Sequence, residues 1–304
     1  MEPFRIHILG CASALPTLRH FPTIQVVECR GKLFMVDCGE GAQLQMRRTG
    51  LSFNKLGHIF ISHLHGDHCF GLIGMLSTFG LLGRTATLHV YGEKRLGEVL
   101  NFQLNAFCQD LGYKVEFHVV DTTQNVVIYE DRSLTVESIP LCHRLPCCGY
   151  LFREKPTLPH IRREMIDMYE IPVSQIQNIK QGADFVMEDG TRVANERLVS
   201  KADEPRAYAY MSDTKYQPQL VPMLHGVTTL YHEATYGDDQ VQMAEKYFHS
   251  TARQAAAMAR MAGVKQLLLG HYSSRYNDER VLLREAKTEF QNSRLTQEND
   301  IIDV

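Results

Sequence analysis

The stretch "ISHLHGDHCFGL", residues 61–72, places His63, His65, Asp67 and His68 within six positions, directly after the apolar run "HIFIS" (58–62). A core accommodates one histidine easily. Three imidazoles and a carboxylate at the end of one strand are hard to bury without a shared partner. A metal ion is such a partner, so the remaining ligands are sought elsewhere in the chain.

Working outward, short apolar runs recur: "FRIHIL" (4–9), "TIQVVEC" (23–29), "KLFMVD" (32–37), "TLHVYG" (87–92), "LTVESIP" (134–140), "AYAYM" (207–211), "TTLYHE" (228–233) and "QLLLG" (266–270). Their lengths and their β-branched and aromatic content predict strands. Helical patterns fall between them at 69–82, at 250–263 and at 278–291. The second of these opens on a Ser250 or Thr251 cap and ends at Gly263. Strands interleaved with helices predict an α/β layered protein spanning 1–304. From about Arg153 to Arg206 the rhythm breaks. Apolar density falls, prolines and charges rise, and acidic and basic residues nearly balance. An inserted arm over 153–206 is expected, and not a polybasic tail.

The strand ends then carry the chemistry. Past "LTVESIP" comes His143, past "AYAYM" comes Asp213, and past "QLLLG" comes His271. Four strands thus each deliver ligand-type residues beyond their carboxyl ends, where α/β proteins build sites. Alone, His143 or His271 reads as an ordinary satisfied histidine, and Asp213 as a turn cap. Beside the first cluster they complete a set of five imidazoles and two carboxylates: His63, His65, Asp67, His68, His143, Asp213 and His271. Nitrogen and oxygen donors suit zinc, with manganese, iron or cobalt as alternatives. Seven ligands exceed one tetrahedral ion but suit two ions sharing Asp213, a pair about 3.5–4 Å apart that can clamp a displacement at phosphorus.

The bulk numbers exclude little. With 304 residues, 44% hydrophobic and 22% charged, the chain is ordinary globular material. A net charge of −3 does not announce a nucleic-acid binder, so any polyanion must meet a local basic surface or a metal. The eight cysteines form no C-x-x-C pair and read as buried free thiols of a reducing compartment. Cys142 and Cys147 flank His143, without thiolate-site spacing. "MEPFRIHILGCAS" has no signal-peptide pattern, and no apolar stretch reaches the roughly 18 residues of a membrane span. A cytoplasmic protein with no membrane partner is expected.

The H-x-H-x-D-H cluster with later His, Asp and His resembles the metallo-β-lactamase superfamily, a four-layer αββα sandwich. Within it the chain resembles the ribonuclease Z family of tRNA 3′-processing endonucleases over nearly its whole length. The resemblance is carried by "LGCASALPT" (9–17), "VDCGEGAQLQMRR" (36–48), "YHEATY" (231–236), "HSTARQAA" (249–256) and "GHYSSRY" (270–276). It implies one zinc on His63, His65, His143 and Asp213, and a second on Asp67, His68, His271 and the shared Asp213. Asp67 also serves as proton acceptor, and precursor tRNA is the substrate of a homodimer. A metal-bound hydroxide then attacks phosphorus 3′ of the acceptor stem, leaving a 3′-hydroxyl on the tRNA and a 5′-phosphate on the trailer.

His249 precedes a helix start, where free N–H groups and the helix dipole favour phosphate. It is expected to contact the scissile phosphate or protonate the leaving oxygen, with Glu233 holding its ring. Asp37 is read as a supporting or turn-stabilising residue, not a ligand. Two places depart from the family pattern. Arg19-His20 stands where Arg-Asn is common, and the arm's "EIPVSQIQNIKQG" (170–182) lacks the usual Gly-Pro step. A same-fold hydrolase of small phosphodiesters or esters is the rival reading, and a scaffold with a vestigial site is a weaker one.

Overall fold

The structure, a computed structural model, describes residues 2–304. Two seven-stranded sheets form the larger of two compact units, Glu2–Arg153 with Arg206–Val304. The first sheet runs, in spatial order, Ile301–Asp303, Phe4–Gly10, Ile24–Cys29, Lys32–Cys38, Leu56–Phe60, Leu88–Gly92 and Val115–Val119. The second runs Ser293–Leu295, Gln266–Gly270, Thr229–Glu233, Ala207–Met211, Cys147–Glu154, Leu134–Leu141 and Val127–Glu130. Pairing is parallel from Lys32–Cys38 to Val115–Val119, and from Ala207–Met211 to Ser293–Leu295.

Alternation along the strands makes the layers. In Leu56–Phe60, Phe60 faces the opposite sheet and packs on Tyr150 and Phe152 at ring-centre separations of 5.3 and 5.7 Å. Ile59 faces the other way, into a cluster with Leu72, Met75, Leu76 and Phe79 of the helix Leu72–Leu81. Each fully buried aromatic or aliphatic side chain contributes about 1.5–3 kcal/mol. Helices Ala252–Ala262 and Arg280–Glu289 add Ala255, Met258, Ala259, Leu282 and Ala286 to the core of the second sheet. The result is the expected αββα arrangement.

The predicted helix over 69–82 divides into Gly66–Cys69 and Leu72–Leu81. At the break, Gly71 donates to the Cys38 carbonyl, and a β-carbon there would run into the Gly39 carbonyl oxygen. The second predicted helix begins at Ala252 with Thr251 as its cap, in a reciprocal capping box with Gln254. Sequence reasoning missed the strand Cys147–Glu154 and the 14-residue helix Lys94–Phe107. None of the eight cysteines is in a disulfide, and five of them are buried.

The other unit, Glu154–Pro205, has its own small core of Ile171, Ile179, Phe185, Val193 and Leu198. Its strands are two residues long, in the ladders His160–Ile161 with Val199–Ser200 and Phe185–Val186 with Arg192–Val193. The helices Arg163–Met168, Val173–Lys180 and Asn195–Leu198 complete it.

Candidate metal centre

The carboxyl ends of four strands deliver the expected residues to one place. Three imidazole nitrogens converge: His65 Nδ1 lies 2.9 Å from His63 Nε2 and 3.2 Å from His143 Nε2. A second group surrounds Asp67 Oδ2, which is 3.3 Å from both His68 Nε2 and His271 Nε2. Asp213 lies between the groups and turns one oxygen to each. Its Oδ2 is 3.7 Å from His63 Nε2 and 3.8 Å from His143 Nε2. Its Oδ1 is 3.1 Å from His271 Nε2 and 3.5 Å from His68 Nε2.

Hydrogen bonding on the far side of four of the rings sets their tautomers. Ser62 Oγ and Tyr210 OH both donate to Asp37 Oδ2, at 2.9 and 2.6 Å. His68 Nδ1 donates to the same oxygen at 2.7 Å. Ser62 Oγ, its proton committed, accepts from His63 Nδ1 at 3.0 Å. Thr235 Oγ1 donates to Glu233 Oε2 at 2.6 Å and accepts from His271 Nδ1 at 2.8 Å. The Phe248 carbonyl accepts from His143 Nδ1 at 3.0 Å. Four rings are thereby left with bare Nε2 lone pairs aimed inward.

This donor set fits two cations. His68 Nε2 and Asp213 Oδ1 are buried and without a hydrogen-bond partner, although other polar atoms stand within 3.5 Å. Lone pairs that face one another without a proton need a positive charge between them. The two quartets, His63–His65–His143–Asp213 and Asp67–His68–Asp213–His271, each hold their donor atoms within 4.8 Å of one another.

Short of a cation, the donors set one another's charge: against burial, Asp67, Asp37 and Asp213 prevail and push His68 up. Burial disfavours an ionised Asp213, but the adjoining His271 and His68 outweigh it and hold the carboxyl well below its usual range. Asp67 behaves alike: burial pushes it up, and His68 and His271 pull it further down. Burial, with His68 alongside, keeps His63 well below the ordinary imidazole value.

Strain marks the same region. Asp37, Phe248 and His271 adopt left-handed backbone, with φ of 56°, 63° and 60°. Non-glycine residues occupy that region at a cost on the order of 1–3 kcal/mol each. It aims the Asp37 carboxylate, the Phe248 carbonyl and the His271 ring at their partners.

His249 lines the same cleft, stacked at 5.5 Å on His271. Its Nδ1 donates to Glu233 Oε1 at 2.8 Å, which leaves Nε2 for the cleft. Glu233 is wholly buried and also accepts from Thr214 N at 3.0 Å and Thr235 N at 3.1 Å. Burial works against an imidazolium, but the Glu233 charge and hydrogen bond prevail and push His249 up to about 9. One expectation is corrected. The helix terminus does not offer His249's neighbourhood a set of free N–H groups. Thr251 N is taken by Gln254 Oε1, Gln254 N by Thr251 Oγ1, and Ala252 N by the Tyr236 carbonyl. The capping box and the Tyr236 carbonyl together consume these donors.

The cleft has a volume of about 710 Å³. Phe70, 72% exposed, lines it with its ring laid over the backbone of Gly66. Ser62, Thr235, Tyr210 and Phe248 are site residues that the sequence reading did not single out. Thr235 sat in full view within "YHEATY", but nothing local indicated that its hydroxyl would join Glu233 to His271.

A two-sheet sandwich with this histidine and aspartate centre at its strand ends is a metallohydrolase of the metallo-β-lactamase fold. The chain is 56% identical over 299 residues to the ribonuclease Z of Bacteroides fragilis, with 98% of each chain covered. It is 48% identical over 304 residues to that of Porphyromonas gingivalis, with 100% of each covered. It belongs to the ribonuclease Z family. The short form of human tRNase Z shares the fold, with a TM-score of 0.70 at 23% identity over 98% of each chain. The metallo-β-lactamase fold protein YhfI of Bacillus subtilis does so with a TM-score of 0.70 at 19% identity, 100% of each covered. Residues 4–156 also match the family described as Anti-Pycsar protein Apyc1, a stretch that ends before Asp213, Glu233, His249 and His271.

Proposed function

We propose that this chain is a zinc-dependent endoribonuclease that removes 3′ trailers from precursor tRNA, acting as a cytoplasmic homodimer with two zinc ions per subunit. The observation that carries the reading is the division of Asp213, one oxygen toward each group of bare imidazole nitrogens. Full-length relatives named ribonuclease Z support the substrate.

His63, His65, His143 and Asp213 would hold one ion, and Asp67, His68, His271 and Asp213 the other. Ions so held lower the pKa of a bound water from 15.7 to about 7 and neutralise charge on the phosphoryl oxygens. Asp67, ionised at neutral pH and lining the cleft, orients the attacking water and accepts its proton. His249 carries a proton on the ring nitrogen left to the cleft and delivers it to the leaving 3′ oxygen of the tRNA. Glu233 fixes the ring's tautomer and charge. The tRNA keeps its 3′-hydroxyl, and the trailer departs with a 5′-phosphate. Phe70 offers a flat apolar surface to a base beside the cut. The unit Glu154–Pro205 docks the body of the tRNA.

The test is incubation of purified protein with an end-labelled, CCA-less precursor tRNA, with and without a chelator, mapping the new end. One cut 3′ of the acceptor stem is expected, lost on chelation and regained with zinc. Hydrolysis of bis-p-nitrophenyl phosphate without any cut in the precursor would overturn the reading.

A further inference from the structure

Away from the catalytic cleft, three adjacent parallel strands bring a second group of imidazoles together. His58 stands opposite His89, His89 opposite Glu116, and Tyr91 opposite His118. In-register parallel pairs share a face, so these side chains lie on the side of the sheet that carries Phe60 and Tyr91. His89 and Glu116 are the second residues of their strands and His118 the fourth of five, whereas His63 lies past the end of Leu56–Phe60. The outermost strand, Val115–Val119, is an edge.

His89 Nδ1 lies 2.9 Å from His118 Nε2. Glu116 Oε1 lies 3.9 Å from the same His118 nitrogen, while its other oxygen holds Lys114 at 2.8 Å. Neighbouring rings hold both imidazoles in place. His58 stacks on His89 at 5.0 Å, and Tyr91 stacks on His118 at 4.5 Å. The side chains of His118 and Glu116 are 34% and 39% exposed, so an ion can enter from solvent. The three donor atoms lie within 4.8 Å of one another. Two imidazole nitrogens and a carboxylate oxygen on rigid strands match the ligand set of zinc and its neighbours, with water completing the tetrahedron.

We propose that His89, Glu116 and His118 form a separate binding site for a divalent transition cation of the zinc class, which ties the edge strand Val115–Val119 to Leu88–Gly92. None of the three residues belongs to the catalytic centre, so occupancy is independent of the cleft.

The test is calorimetric titration of Zn²⁺ into the zinc-loaded protein, comparing wild type with His89→Asn/His118→Asn. Wild type is expected to bind one more ion per chain than the double variant. Its melting temperature should rise by on the order of 5 °C at a hundredfold excess of zinc over Kd, and the variant's should not. Glu116→Gln should weaken the extra ion at least tenfold. Equal stoichiometry in wild type and double variant overturns the site, and unchanged affinity in Glu116→Gln overturns the ligand set. Should the double variant misfold by circular dichroism, His118→Asn alone, on the exposed edge, carries the same comparison.

Discussion

Replacing Glu233 by glutamine tests whether His249 acts as an acid. Glu233 is the group whose charge and hydrogen bond, against the effect of burial, bring His249 from 6.5 up to about 9. Because the pKa is raised, the imidazolium persists through neutral pH and is lost as pH rises through the folded value. At pH 8 a ring with pKa 9 is about 90% protonated, and one at or below 6.5 at most about 3%, a fall of roughly thirtyfold or more. Cations bound in the neighbouring centre would lower both values, so the comparison is the displacement between the two profiles. The assay is the pH dependence of kcat on precursor tRNA under single turnover. Wild type should decline on the alkaline side, and Glu233→Gln should begin that decline about two units lower, with activity converging at acid pH. Glutamine also loses an acceptor facing the Thr214 and Thr235 donors, at a cost of about 1–3 kcal/mol, so melting curves must be run alongside. An alkaline limb that stays in place in a folded, metal-loaded Glu233→Gln protein refutes the assignment.

The remaining predictions concern the ligands, their supports and the substrate. Asp67→Ala should abolish cleavage while leaving tRNA affinity within a fewfold of wild type, measured by filter binding. Asp37→Ala removes an acceptor that serves Ser62 N at 2.7 Å, Ser62 Oγ, His68 Nδ1 and Tyr210 OH. It should cost about 3–5 kcal/mol in denaturant unfolding and weaken zinc about 10–100-fold by chelator competition. Deleting residues 155–203 should raise KM for precursor tRNA and spare bis-p-nitrophenyl phosphate hydrolysis; an unchanged KM removes the docking role. Phe70→Ala should raise KM for the precursor about fivefold or more, and less when the nucleotide beside the cut is abasic.

"ISHLHGDH" announces itself because strand length, apolar content and donor chemistry are all local properties. His143, Asp213 and His271 were legible for the same reason, each standing within three positions of the end of an apolar run. The strand Cys147–Glu154 was not. It starts on two cysteines, has Gly149 near its start, and ends on Arg153-Glu154. Gly149 is there because a β-carbon would strike the Tyr210 carbonyl of the neighbouring strand, a contact between residues 61 positions apart.

Sequence alone therefore determined the kind of protein: an α/β sandwich with seven nitrogen and oxygen donors at its strand ends. Only the tertiary structure decided which ring nitrogen each histidine presents, because those choices rest on partners far away in the chain. Asp37 reaches His68 across 31 residues, Tyr210 reaches Asp37 across 173, and Phe248 reaches His143 across 105. It also decided that the helix after His249 has Thr251 N, Gln254 N and Ala252 N already bonded, two in its own cap and one to the Tyr236 carbonyl. Hydrogen bonds are short and directional, so they are settled only when the chain has closed on itself.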